Sequence, residues 1–136
     1  LYALLRTRLL PDQEARARLN LGRLLLLHTR NPKDAQQALQ RAKHLASTML
    51  GQYTLKCEIA CQLAQYHKTQ AETSYQVQAY TDALQACEAG MDSSERPQLL
   101  RWVGHVHMCL AEVHSAGGDK ARALAAVDEG VRACGQ

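Results

Sequence analysis

The segment EARARLNLGRLLLLHTRNPKDAQQALQRA, residues 14–42, contains two apolar patterns of helical spacing that are separated by Asn31-Pro32. A residue that precedes proline avoids the α region, so the first helix should end near Arg30. Pro32 suits the first turn of a following helix. The segment therefore predicts helices over residues 12–29 and 33–49, joined by a few residues into an antiparallel helical hairpin.

The same two-helix pattern recurs twice along the chain. The first helix returns at residues 53–70 and 96–115, and the second at residues 76–91 and 119–134. The clearest internal match aligns ALQACEAG, residues 83–90, with ALAAVDEG, residues 123–130. Repeats of this length indicate a helical solenoid.

Small residues stand at equivalent places in each copy. Each first helix has a leucine followed by a small residue: Leu21-Gly22, Leu63-Ala64 and Leu110-Ala111. Each second helix has small, apolar and small residues spaced by four and three: Ala35, Leu39, Ala42; Ala83, Cys87, Gly90; and Ala123, Val127, Gly130. This spacing places the three residues on one helix face, where small side chains allow close helix packing.

This arrangement resembles the tetratricopeptide repeat (TPR), whose signature is Leu-Gly in helix A and alanines around a larger apolar residue in helix B. The resemblance implies an all-α, TPR-like helical-hairpin superhelix, an α-solenoid of right-handed sense, and leaves an irregular helical bundle as the alternative. It divides a single domain, residues 1–136, into a helix remnant (1–9), repeat 1 (12–49), repeat 2 (53–91) and repeat 3 (96–134). Repeat 2 departs from the pattern near residues 68–78, where we expect either a longer first helix or an enlarged connection.

Residues 14–46 also resemble a particular family, the TPR subunit of the cohesin loader, which partners a HEAT-repeat loader of the Nipped-B/adherin type. The turn His28-Thr29-x-Asn31 carries most of the likeness, and residues 55–67 and 99–118 continue it more weakly. The resemblance implies a nuclear, non-enzymatic adaptor in sister-chromatid cohesion. Its superhelix would enclose an extended N-terminal segment of the loader, with indirect chromatin association. It implies no cofactor, no direct nucleic-acid contact and no membrane. The alternative is an unrelated TPR adaptor in another multiprotein complex.

Helix A of each TPR lines the concave face, so a partner-binding groove is expected there. Counting from each Leu-small pair, the groove residues are Arg16, Leu19, Arg23, Leu26, Glu58, Cys61, Gln65, Lys68, His105, Met108 and Glu112. Such a groove suits an extended peptide held by many modest contacts. The alternative is that Arg16 and Arg23 form only a solvated helix face and that Leu19 and Met108 belong to the core.

Composition limits the other classes of function. The first 50 residues carry nine Lys or Arg against three acids, and the remaining 86 carry seven against ten, so the net charges are +6 and −3. This asymmetry favours an acidic protein partner but is too modest to indicate nucleic-acid binding. The five cysteines lack a framework spacing, which indicates reduced thiols in a cytosolic or nuclear protein. No apolar run is long enough to span a bilayer.

Three other kinds of site are disfavoured by spacing. Cys57 and Cys61, even with histidines near Cys109, lack the usual spacing of a structural zinc site. Residues 117–120, GGDK, lack the phosphate-loop frame and read as a turn between helices. The carboxylate clamp of chaperone-type TPR domains needs Lys and Asn in helix A, and this chain lacks that pair. No catalytic set is defined, so we expect no enzymatic activity.

Overall fold

The computed structural model describes residues 10–28 and 31–134 and contains six α-helices there. They are α1 (Pro11–His28), α2 (Pro32–Ser47), α3 (Tyr53–Thr69), α4 (Thr73–Ala89), α5 (Arg96–Ala116) and α6 (Lys120–Cys134). Within these residues there is no strand, so the all-α prediction is confirmed. The helix remnant expected at residues 1–9 lies outside the described residues, as do Thr29 and Arg30 of the family-like turn.

The six helices form three hairpins that stack in chain order. The most extensive contacts join α1 with α2, α3 with α4, and α5 with α6. Successive hairpins meet through α2 against α3 and α4 against α5, and the first helices also meet as α1 with α3 and α3 with α5. Because each hairpin packs on its sequence neighbour, the fold is a helical-hairpin solenoid, as the repeats predicted.

The break at Asn31-Pro32 starts α2 as the sequence predicted. The Asn31 side-chain oxygen accepts a hydrogen bond from the backbone N–H of Asp34 at 3.4 Å, and Pro32 occupies the first turn. The N-terminus of α3 has no such local cap, since Gln52 adopts a left-handed conformation with φ 55°. Glu95 supplies that cap from the connection between α4 and α5, accepting from the N–H groups of Tyr53 and Thr54.

The turns inside the second and third hairpins have the same hydrogen bonds. The N–H of Glu72 donates to the carbonyl of His67 at 2.9 Å, and that of Asp119 donates to His114 at the same distance. Only residues 70–72 separate α3 from α4, so the enlarged connection expected near residues 68–78 is wrong. Ala71 has φ 56° and reverses the chain in one left-handed residue, which leaves Thr73 onward free to be helical.

Close helix packing within and between the hairpins depends on glycine. A Cβ added to Gly22 would lie 2.6 Å from Cγ of Leu39, a fully buried residue of α2. A Cβ on Gly90 would lie 2.5 Å from Leu99 and 2.6 Å from Tyr53, so this position joins the second and third hairpins. These contacts give the small residues found in the sequence their role, because real Cβ atoms do not approach so closely.

The core runs through all three hairpins as one cluster. Its largest fully buried side chains are Tyr80, Leu19, Leu39, Leu55, Ile59, Leu99, Val106, Cys57 and Cys87. Two of its cysteines face each other, with the Sγ atoms of Cys57 and Cys87 3.4 Å apart. They act as small apolar residues that join α3 to α4.

Candidate protein-binding surface

One side of α1, α3 and α5 carries most of the predicted groove residues, and we call it the A face. It comprises Arg16, Arg23, Leu26, Glu58, Gln65, Lys68, His105, Met108 and Glu112. Its first contact joins two hairpins: Nη1 of Arg16 on α1 lies 3.0 Å from Oε2 of Glu58 on α3. Half of the Arg16 side chain stays exposed, whereas the Glu58 side chain is 16% exposed. An ion pair this open contributes at most about 1 kcal/mol to stability, so Arg16 remains able to contact another molecule.

Arg23 lies on α1, like Arg16, and is only partly buried. Its Nε atom is shielded from solvent and has no hydrogen-bond partner among the described residues. An unpaired buried donor costs about 1–3 kcal/mol, and more when it belongs to a charged group. Arg23 is therefore the A-face residue most in need of an additional acceptor.

The second and third hairpins meet around the hydroxyl of Tyr80, a buried residue of α4 that contacts groups of the A face. Gln65 donates from Nε2 to this oxygen at 3.1 Å, and Cys109 on α5 lies close enough to hydrogen-bond with it. Burial raises the pKa of Cys109; Glu112 raises it further, while the Tyr80 hydrogen bond and the charge of Lys68 lower it. Four predicted or adjacent polar groups from α3 and α5 thus converge at one place.

Two of the predicted groove residues belong to the core instead. Leu19 is fully buried and Cys61 is 5% exposed, so neither offers surface to a partner. Leu26 is partly buried against the same cluster. Among the described residues, α1 contacts α2 and α3, and α3 contacts four helices. A wider arc of both helices is therefore covered than an isolated hairpin would cover.

The remaining predicted residues lie on α5. His105 is exposed, with its Nε2 atom 3.6 Å from Sγ of Cys109 and its ring edge-on to Trp102. Met108 is 36% exposed, and its methyl group lies over Gly130 of α6, where an added Cβ would come within 2.8 Å. Met108 therefore packs against α6 and also remains partly exposed. Glu112 is an exposed acid one turn beyond it.

Sequence reasoning missed a second feature, a cleft of about 800 Å³ bounded by α2, α3 and α4. Glutamines on α2 and α4 and buried alanines on all three helices line it. Glutamine is so ordinary on a helix surface that its recurrence in both second helices carried no signal by itself. Three helices had to be placed before the gap between them could be recognised.

The described residues include no cluster of three or more His, Cys, Asp or Glu able to hold a metal ion. None of the helices in the same part of the chain has both the length and the apolarity needed to cross a bilayer.

Comparison with known protein families decides the class of this solenoid. The family model described as "Cohesin loading factor" matches residues 1–132. The chain belongs to the cohesin loading factor family. Searches among curated proteins and among solved structures gave no match.

Membership confirms the resemblance seen in residues 14–46 and extends it over nearly the whole chain. For a cohesin loading factor, the role is in cohesin loading, with a protein partner in the loader complex and a chromosomal, nuclear setting. The family is one of scaffolds or adaptors and is not a known class of enzymes.

Proposed function

We propose that this cohesin loading factor is a non-enzymatic, TPR-type adaptor whose A face binds an extended N-terminal segment of a Nipped-B/adherin-type loader subunit. In this proposal the pair acts in the nucleus in sister-chromatid cohesion and reaches chromatin indirectly. The observation that carries the proposal is Arg23, whose Nε atom is buried without an acceptor among the described residues. On binding, the Arg23 side chain would turn outward and donate to a backbone carbonyl or carboxylate of the extended segment.

The chemistry of the rest of the A face fits the same ligand. Arg16 keeps half of its surface free although it pairs with Glu58, and Lys68 is exposed. Gln65, His105 and Glu112 add groups that can donate or accept along a stretch of backbone. An extended chain leaves its own N–H and C=O groups unpaired, so it can use such a row of mixed polar groups better than a helix can.

The test is isothermal titration of this chain with the N-terminal segment of the matching loader subunit at moderate salt. We expect submicromolar binding. An Arg16→Glu, Arg23→Glu double variant should weaken it by about 100-fold, because two charged contacts are reversed. The control reverses two exposed cations of α2 that lie off the A face, Lys33→Glu and Arg41→Glu, and alters the net charge equally.

Two further variants separate contact from folding. Arg23→Met keeps the apolar stem and removes the donor, so a loss of binding without a loss of thermal stability assigns the effect to the guanidinium. Exchanging the charges of the pair, Arg16→Glu with Glu58→Arg, preserves the bridge between α1 and α3. A loss of binding in this variant is therefore assigned to the lost contact and not to folding. Binding that survives all A-face variants would place the loader segment elsewhere, and no binding by the folded chain would remove this partner.

A further inference from the structure

The α2–α3–α4 cleft lies on the opposite side of α3 from the A face. At 100° per residue, the α3 residues that line the cleft cluster around one direction: Lys56, Ile59, Ala60, Leu63, Tyr66 and His67. The predicted groove residues Glu58, Gln65 and Lys68 lie about 140–160° away around the same helix. A ligand in the cleft therefore does not compete for the A face.

The floor of the cleft is apolar and is made deep by small residues. Leu63 and Ile59 of α3 lie at the bottom and are at most 4% exposed. Ala60 of α3, Ala46 of α2 and Ala79 of α4 flank them, and each is nearly buried within the chain's own fold. Alanine side chains leave the space that a leucine, isoleucine or valine side chain from another molecule would fill.

The walls of the cleft carry amide side chains from two helices, α2 and α4. Gln36 and Gln40 rise from α2, and Gln85 rises from α4, without a hydrogen bond to any other described residue. Gln78 of α4 donates to Asp82 at 3.0 Å and keeps its own carbonyl oxygen available. Each amide both donates and accepts, which matches the alternating N–H and C=O groups of an extended backbone.

The two ends of the cleft differ in charge. Lys43, Ser47 and Lys56 lie at the end formed by the α2–α3 connection. Lys43 has no ion pair among the described residues, and the ammonium of Lys56 donates to the carbonyl of Met49 at 2.9 Å. The opposite end holds the imidazole of His67, 3.2 Å from Glu72 and stacked on Tyr75. An acidic group is attracted to the lysine end alone.

We propose that this cleft is a second docking site, which takes an extended segment of a partner protein with an aliphatic side chain on the floor and an acidic side chain at Lys43 and Lys56. From Gln36 to Ser47 the cleft runs about 17 Å, which about five extended residues cover. The acidic residue thus lies about two positions from the aliphatic one. The proposal stands independently of the A-face function.

The test is a selection of phage-displayed random peptides against the immobilised chain. Peptides of about twelve residues leave room around the five-residue footprint. Recovered peptides should carry Leu, Ile or Val about two positions from Asp or Glu. As synthetic fluorescent peptides, they should lose about tenfold in affinity for Lys43→Glu, because one charge contact is reversed. Lys33→Glu is the matched control, an exposed lysine on the same helix that does not line the cleft.

An independent readout follows the glutamines directly. In ¹⁵N-labelled protein the side-chain amide signals of Gln36, Gln40, Gln78 and Gln85 should shift as the peptide is added, while that of Gln65 on the A face stays in place. Selection of no peptide, selection of peptides without an acid, or shifts confined to Gln65 would each overturn the proposal. Equal affinity for wild type and Lys43→Glu would do the same.

Discussion

The carboxylate of Glu95 accepts a hydrogen bond from the backbone N–H of Thr54 at 2.9 Å, although the two residues are 41 positions apart. Its other oxygen accepts from Tyr53 at 3.2 Å. Helix N-termini leave their first N–H groups without intrahelical partners, and a negative charge there is also attracted to the positive end of the helix dipole. The connection that introduces the third hairpin therefore completes the first helix of the second.

Replacing Glu95 by Gln should destabilise the fold by about 0.5–1 kcal/mol at pH 7, because charge-assisted hydrogen bonds become neutral ones. Burial acts to raise the pKa of Glu95, but the hydrogen bonds from Thr54 and Tyr53 and the charge of Lys56 outweigh it and lower this pKa. The stabilisation is therefore present above the ordinary pKa of a glutamate and is lost as pH falls through the lowered value.

Urea denaturation between about pH 6 and pH 3 measures this effect, since the ordinary glutamate pKa of about 4.3 lies inside that window. The difference in unfolding free energy between wild type and Glu95→Gln should shrink as the pH falls. Glu88→Gln, an exposed acid on α4, is the control and should show no such change. A constant difference across the window would mean that Glu95 does not cap α3 as a carboxylate.

The hairpins were readable from the sequence because their signals are local. Asn31-Pro32 ends one helix and begins the next, and the glycines at residues 117 and 118 mark the last turn. Ala71 gave no such signal, because alanine is the strongest helix former and rarely takes a left-handed conformation. Because the sequence showed no turn signal at Ala71, the connection was expected to be longer than it is.

Features that need distant partners could not be read in this way. The cap from Glu95 depends on how the third hairpin sits on the second. The burial of Leu19 and Cys61 depends on how many helices surround α1 and α3, which the 3.6-residue period of one helix does not contain. The sequence therefore offered the core as an alternative for Leu19 but gave no such indication for Cys61, and both side chains are buried.

Gly22→Leu should destabilise the first hairpin by roughly 2–4 kcal/mol, at or above the usual overpacking cost, because even a Cβ would lie 2.6 Å from Leu39. Gly117→Leu is the control, since a Cβ there meets nothing closer than 3.6 Å and its φ of −81° is ordinary. In a Leu39→Ala background, the cost of Gly22→Leu should fall by at least about 1 kcal/mol, as expected for residues in contact. Unchanged thermal stability of Gly22→Leu would show that the helix register is wrong.

The buried cysteines should resist alkylation in the folded protein. The hydrogen bond between Cys87 and Cys57, together with burial, raises the pKa of Cys87. The pKa of Cys57 is also raised, chiefly by its hydrogen bond with Cys61 and by burial, although the contact with Cys87 acts to lower it. The thiolate is the reacting form, so both should stay unmodified by iodoacetamide at pH 8.

Residue-level mass spectrometry after timed alkylation checks this order. Among the cysteines whose side chains the structure describes, Cys109 is the one that is not fully enclosed, so it should react first. In urea all four should react at similar rates, which provides the internal control. Alkylation of Cys57 or Cys87 as fast as Cys109 in native buffer would contradict the placement of these thiols in the core.

The two equivalent turns allow a reciprocal exchange of glycine and alanine. Ala71 with φ 56° and Gly118 with φ 81° occupy the same position of the same hydrogen-bonded turn. Replacing an alanine in the left-handed conformation by glycine raises the free energy of unfolding by about 1 kcal/mol. Part of this stabilisation is offset because glycine increases the conformational entropy of the unfolded chain. Ala71→Gly should therefore stabilise the protein by about 0.5–1 kcal/mol, and Gly118→Ala should destabilise it by a similar amount. Thermal and urea denaturation of both variants measure the two shifts, and shifts of equal sign would show that the turns differ in conformation.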